Sequence, residues 1–418
     1  MPADVPLDEE PDRGLTTMAR IAFFAPPSAG HVNPTLGLAA ELRARGHHVT
    51  YATTADFAER VAEVSSDVVT YTEQHPGDFR SFTFSGRSLV DAMAASLAET
   101  RALVPVLDQA FPQRPDIVVY DSAAWWGRLL AARWERTAVQ VSPMLMSNAE
   151  WSMSQRYTRL NPLQPRLWAF LLRLGGYLKN SGTTITPKEL LTGDGAVRRI
   201  VFIPKEFQPR GETFDDAYRF VGPCLYERRF LGSWQRPHER APLILVTLGT
   251  IYNQNPGFFR TCLEAVADLG GHVVIATGDG VDHAALGTPP PNVELRRFVA
   301  QLHVLRHADL FITHAGMGST MEALHEGVPM LAVPQMAEER ANADRIAEVG
   351  AGRVLDPAGL TAATLRAAIE RMLADTAVRD RARQLRDSIR AAGGAAAAAD
   401  CVEAFIPATV APSQEGTS

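Results

Sequence analysis

Apolar residues in this chain gather in short runs separated by longer amphipathic stretches. "RIAFFA" (residues 20–25) is one such run. After it, "PTLGLAAELRARG" (34–46) repeats apolar positions at the 3.6-residue period of a helix and closes on Gly46. "HHVTYAT", "DVVTY", "DIVVYD" and "AVQVSP" predict further strands, with helices around Ser88 to Phe111 and over "SAAWWGRLLAARWE". This βαβα rhythm, from Ala19 to about Pro143, predicts a parallel, doubly wound sheet of the α/β class. Residues 144–195 break it with a helical mixture of Met, Trp, Tyr, Leu and basic side chains, suited to an acceptor wall or lid. "RRIVFIP" and "FVGP" then predict the last strands of the first half.

A second half repeats the pattern. "LILVTLGT", "HVVIAT", "VELRRF", "ADLFITH", "PMLAVP" and "GRVL" predict strands, interleaved with helices from Phe258 to Leu269, from Ser319 and near Asn342. Closing helices run from Thr361 to about Ala397. The polar stretch between the halves predicts a linker over 226–241. The expected organisation is therefore an extension over 1–17, a first domain over 18–225, the linker, a second domain over 242–407 and a tail over 408–418. The last helix is a candidate to pack back on the first domain.

Composition narrows the function classes. The chain has 418 residues and a net charge of −6, which gives no reason to expect nucleic acid. Its three cysteines, Cys224, Cys262 and Cys401, are too scattered for a metal site or a disulfide framework and suit a reducing, cytoplasmic setting. No apolar run of about 18 residues predicts a membrane span. The acidic "MPADVPLDEEPDRGLTT" is the reverse of a signal peptide.

Two stretches carry candidate chemistry. In "FFAPPSAGHVNP" (23–34), His31 stands at a βα junction, where open α/β sheets bind ligands. In "THAGMGSTMEALHEGVPMLAVPQMAEERANADRIAEVGAG" (313–352), a strand ending in His314 meets a turn with Gly316 and Gly318, followed by a helix that Ser319 can cap. Exposed amides at a helix N-terminus make an anion site suited to a diphosphate. His314 can donate to the same phosphates, and Glu322 can accept from ribose hydroxyls. No Asp-x-Asp motif lies at a predicted strand end, so no metal ligands are assigned.

The second stretch resembles the nucleotide-sugar signature of uridine-diphosphate-dependent glycosyltransferases that modify small molecules. "SAGHVNPTLGLAAELRARGHHVTYAT" resembles their acceptor domain. "YDSAAWWGRLLAARW", "TFDDAYRFVGP" and "ITHAGMGSTMEAL" are similar to actinomycete macrolide glycosyltransferases of the oleandomycin-inactivating kind. The resemblance spans about 19–405 and implies the glycosyltransferase B fold, two Rossmann-like domains with parallel sheets facing across a cleft. It implies that His31 is the general base, with Asp121 as its acidic partner, and that transfer from a UDP-sugar inverts the anomeric centre without a metal.

Further donor contacts follow by the same resemblance. Gly249 and Thr250 of "TLGT" fall at a second phosphate contact. In "RRFVAQL", Phe298 would stack on the base beside Val299, with Gln301 following, although Trp and Pro-Gln are usual where Phe298 and Ala300-Gln301 stand. Glu338 and Glu339 occupy the sugar-binding pair, where an acid followed by Gln is typical. That change from Gln leaves glucose, another hexose or a TDP-linked deoxysugar open. Trp125, Trp126, Met144 and Met146 are acceptor-wall candidates. The expected partners are a UDP-sugar co-substrate, with no other cofactor, and a hydrophobic small molecule; the chain is expected as a monomer or homodimer. A non-catalytic nucleotide-sugar-binding protein is the rival from another class.

Overall fold

Thirteen strands and thirteen α-helices follow the predicted alternation in a computed structural model that describes residues 18–74, 86–158, 160–196, 198–228, 232–237, 242–249 and 253–406. The first unit runs β1 (Arg20–Phe24), α1 (Ala29–Ala44), β2 (His48–Thr54), α2 (Ala55–Ala62), β3 (Asp67–Tyr71), α3 (Gly86–Ala110), β4 (Ile117–Asp121), α4 (Trp125–Arg133) and β5 (Thr137–Ser142). It continues through α5 (Pro165–Lys179), α6 (Pro187–Thr192), β6 (Arg198–Val201) and β7 (Tyr218–Phe220). Its seven strands pair in the order 3-2-1-4-5-6-7, all parallel.

The second unit runs β8 (Leu243–Thr247), α7 (Pro256–Val266), β9 (His272–Ala276), β10 (Val293–Arg296), α8 (Gln301–Leu305), β11 (Leu310–Thr313), α9 (Met317–Glu326), β12 (Met330–Ala332), α10 (Ala337–Glu348) and β13 (Gly352–Val354). It closes with α11 (Ala362–Ala374), α12 (Thr376–Ala391) and α13 (Gly394–Glu403). Its six strands pair in parallel in the order 10-9-8-11-12-13.

The central strands are apolar throughout because helices cover both faces of each sheet. Phe23, Tyr51 and Ile117 lie buried on one side of the first sheet with Leu36 and Leu42 of α1. Phe24, Val118 and Tyr120 lie on the other side with α3 and α4. Each such side chain contributes roughly 1.5–3 kcal/mol by leaving water.

Two features could not be read from alternation alone. The unit boundary is partly sealed by apolar packing: Leu145, Trp151, Val201, Ile203 and Phe207 of the first unit share one apolar cluster with Leu245, Phe311 and Met321 of the second. In addition, α13 returns to the first unit. Ala398, Ala399 and Val402 join the core under α1, and Glu403 pairs with Arg45 at 2.7 Å and His47 at 2.9 Å.

The strand orders fix where a ligand can sit. In each sheet the sequence order reverses between two neighbouring strands, β1 and β4 in the first and β8 and β11 in the second. Helices leave those strands toward opposite faces, opening a crevice beyond their carboxyl ends. The residues that follow these four strands are therefore the ones to examine.

Candidate functional site

His31 and Asp121 come from the two strands that flank the first switch point. α1 begins five residues before the predicted Pro34, so His31 lies in its first turn rather than in a free loop. Asp121 ends β4 and is completely buried. Its Oδ2 lies 2.9 Å from His31 Nδ1, and its Oδ1 accepts from the Ala123 amide at 2.8 Å. A carboxylate can only accept here, so Nδ1 carries the proton and Nε2 is left with its lone pair. Asp116, at the other end of the strand, accepts from the Arg20 amide and is structural.

Burial and the nearby charges act on His31 in opposite directions. Burial disfavours its cation, but Asp121, by charge and by hydrogen bond, together with the charge of Glu338 from the second unit, raises its pKa above the usual 6.5. Glu338 lies in the first turn of α10, so its charge acts on His31 across the boundary between the units. α1 also touches α9.

His314 and Gly249 mark the second switch point, after β11 and β8. The imidazole is held between two glycines. A Cβ on Gly249 would lie 2.5 Å from the ring, and one on Gly316 2.4 Å from Nε2. Gly249 also adopts a φ of +73°, which L side chains avoid. Burial lowers the His314 pKa to about 4, opposed by the Thr247 main chain, so the ring is neutral at pH 7 and keeps one N–H to donate.

Between them Ala315 takes φ +66°, an uncommon strain for alanine. It is held by its amide to Thr313 Oγ1 at 3.1 Å and by Asn342 Nδ2 to its carbonyl at 3.0 Å. α9 starts at Met317 with Gly316 as its N-cap. Ser319 therefore does not cap the helix as the sequence suggested; it lies inside the first turn. Thr320 is the first residue whose amide finds a helical partner, the Gly316 carbonyl, which leaves the amides before it to face a ligand. A Cβ on Gly318 would meet open space.

Around this turn the base-side residues converge. Gln301 Nε2 donates to Glu322 Oε2 at 2.6 Å and to Ser319 Oγ at 3.2 Å. Phe298 is half exposed beside them, and Val299 packs on the shared apolar cluster. Arg228 Nη2 donates to Glu322 Oε1 at 2.5 Å; sequence reasoning placed Arg228 in the linker and gave it no role. Thr250 lies outside the described residues.

Glu338 and Glu339 diverge. Burial raises the Glu338 pKa, while His31 and the Asn342 side chain lower it. Glu339 instead folds back on its own helix, where Oε2 accepts from the amides of Gln335 at 2.7 Å and Met336 at 3.2 Å. It is a helix-start acceptor through Oε2, whereas the Glu338 charge acts on His31 of the first unit. Of the acceptor-wall candidates, Trp125 and Trp126 are core residues, 8% and 3% exposed, packed with α3 and α5. Met144 and Met146 are part-buried, and Met146 packs on the cluster between the units. Among the described residues no group of three His, Cys, Asp or Glu could hold a metal, and no helix is long and apolar enough to cross a membrane.

Two parallel-sheet units, with a His–Asp pair at one switch point and a glycine-flanked helix N-terminus at the other, have the architecture of the glycosyltransferase B fold. The family profile described as "Erythromycin biosynthesis protein CIII-like, C-terminal domain" matches residues 260–404. The demethyllactenocin mycarosyltransferase of Streptomyces fradiae is 40% identical over 95% of this chain and 88% of its own length. The oleandomycin glycosyltransferase of Streptomyces antibioticus is 37% identical over 94% and 92%. Among solved structures, the glycotransferase of kitacinnamycin superposes with a TM-score of 0.82 at 35% identity, covering 93% of this chain and 99% of its own. The calicheamicin glycosyltransferase gives 0.80 at 37%, covering 93% and 98%. The chain belongs to this glycosyltransferase family and is a glycosyltransferase.

Proposed function

We propose that the protein transfers a hexose, glucose first among candidates, from a UDP-sugar to a hydroxyl of a hydrophobic natural product such as a macrolide, with inversion and without a metal. The observation that carries this is the pairing of His31 with Asp121 at 2.9 Å, in electrostatic reach of the second unit's Glu338. His31 Nε2 takes the acceptor's hydroxyl proton as the oxygen bonds to the anomeric carbon. The bond from that carbon to the β-phosphate oxygen breaks, and its electron pair leaves with the nucleoside diphosphate. Amides at the start of α9 and the neutral His314 N–H receive the developing charge, and Asp121 stabilises the imidazolium. Displacement from the face opposite the leaving group converts an α-linked donor into a β-linked product.

In this reading Gln301 and Glu322 hold the nucleoside, Phe298 stacks on its base and Glu338 faces the sugar. Met144 and Met146 remain acceptor-wall candidates, whereas Trp125 and Trp126 shape that wall from the core. Similarity to oleandomycin glycosyltransferase supports the macrolide class. A second reading, a biosynthetic transferase for a TDP-deoxysugar, is favoured by the 40% identity to a mycarosyltransferase and by Glu339, a carboxylate tied through Oε2 to main-chain amides where Gln is typical. A donor-by-acceptor matrix without added metal, read by mass spectrometry, separates them. A mass gain of a hexose from UDP-glucose supports the first; transfer only from TDP-deoxysugars supports the second. No transfer from any nucleotide sugar removes both.

A further inference from the structure

We propose that Arg228 is a positioning residue for the donor: its guanidinium fixes the Glu322 carboxylate in the orientation that receives the ribose hydroxyls. This rests on the reading of Glu322 as the ribose acceptor. Both carboxylate oxygens are already engaged by the protein, Oε1 by Arg228 at 2.5 Å and Oε2 by Gln301 at 2.6 Å. The ion pair is largely withdrawn from water, with side chains 15% and 10% exposed, so its geometry is not loosened by solvent. Each carboxylate oxygen keeps acceptor capacity for a further hydrogen bond, and the two bonds to Arg228 and Gln301 restrict rotation of the group.

Arg228 is itself held. It lies on the segment that crosses between the units, and its neighbours anchor to both sides. Tyr226 donates to Glu63, at the end of α2, at 3.3 Å, and Glu227 pairs with Arg306, at the end of α8, at 2.5 Å. Arg60 of α2 approaches as well, near enough that the Arg228 charge, after burial, helps depress the Arg60 pKa. A side chain from the crossing segment thus meets Glu322 of the second unit, while its neighbours Tyr226 and Glu227 bond to residues of both units.

The test is calorimetric titration of the full chain with UDP and with 2′,3′-dideoxy-UDP, for wild type, Arg228→Ala and Arg228→Lys, with circular dichroism as a check on folding. Wild type should bind UDP about 10-fold or more tighter than the dideoxy form, since a site built to hydrogen-bond hydroxyls rejects a ligand lacking them. Arg228→Ala should weaken UDP binding and bring the two nucleotides to within about threefold of each other. Arg228→Lys should fall between, because a point charge cannot replace the fork. A wild type that ignores the hydroxyls defeats the ribose reading of Glu322 and this inference with it. If wild type discriminates and both variants keep the full ratio, the ribose reading stands and Arg228 is a structural ion pair only. Should Arg228→Ala unfold, an unchanged ratio in Arg228→Lys overturns the inference by itself.

Discussion

In the proposed mechanism His31 divides its task between two nitrogens: Nδ1 holds Asp121 at 2.9 Å, and Nε2 is kept basic for the acceptor proton. Its raised pKa sets the acidic limb of activity, since the base works only when neutral. The acceptor kcat/KM should fall as pH drops below a value above 6.5. Asp121→Asn should lower that limb and reduce kcat by about 10²–10⁴-fold, because the tautomer and the imidazolium lose their support. Glu338→Gln should lower the limb by less, as its contribution is charge alone. His31→Ala should lose transfer by at least about 10²-fold while calorimetry still detects nucleotide. A pH–rate series on these variants checks all three; an unshifted limb in Asp121→Asn contradicts the dyad. Asp121 was legible in the sequence because it ends a strand at the switch point. Arg228 was not, because a guanidinium in a polar crossing segment carries no local mark of the carboxylate it meets.

At the scale of elements, the starts of α9 and α10 decide the donor side. A methyl at Gly249 would be driven into His314 from a backbone conformation alanine resists. Gly249→Ala should therefore cost about 1–3 kcal/mol in chemical denaturation and weaken nucleotide binding. Glu339 is raised to about 8 by burial, against the pull of the Gln335 and Met336 amides. The folded chain thus binds more protons than the unfolded one between about 4.5 and 8, and stability falls as pH rises through that window. Glu339→Gln keeps an acceptor for the amides without the charge. Its Tm relative to wild type should climb from pH 5 to pH 8, and a constant difference would refute the assignment. The strands and their order were readable from apolar runs and the longer helices from their periods, whereas the short helices α2 and α8 were not. Helix starts were not: α1 and α9 begin before their periodic stretches, since Ser28 and Gly316 terminate them through backbone geometry rather than side-chain caps. Ala315's positive φ is equally silent, because alanine rarely adopts it and only its bonds to Thr313 and Asn342 hold it.

Across the whole molecule, the proposed mechanism requires the two sheets to present their switch points to each other. The apolar cluster between the units and α13's return to the first unit hold that relation. Val402, fully buried under α1, should cost about 2 kcal/mol as Val402→Ala in urea unfolding followed by tryptophan fluorescence. Normal stability would mean that α13 is dispensable to the first unit. The doubled βα rhythm, the class of the strands and longer helices, and the glycine-histidine turn before a helix were determined by the sequence by itself, because periodicity and backbone freedom are properties of neighbouring residues. Only the tertiary structure decided that Glu339 caps its own helix, that the tryptophans are core and that Arg228 grips Glu322. Those outcomes depend on which side chains meet after dozens of intervening residues are packed, and charge and burial act through distance in space rather than along the chain.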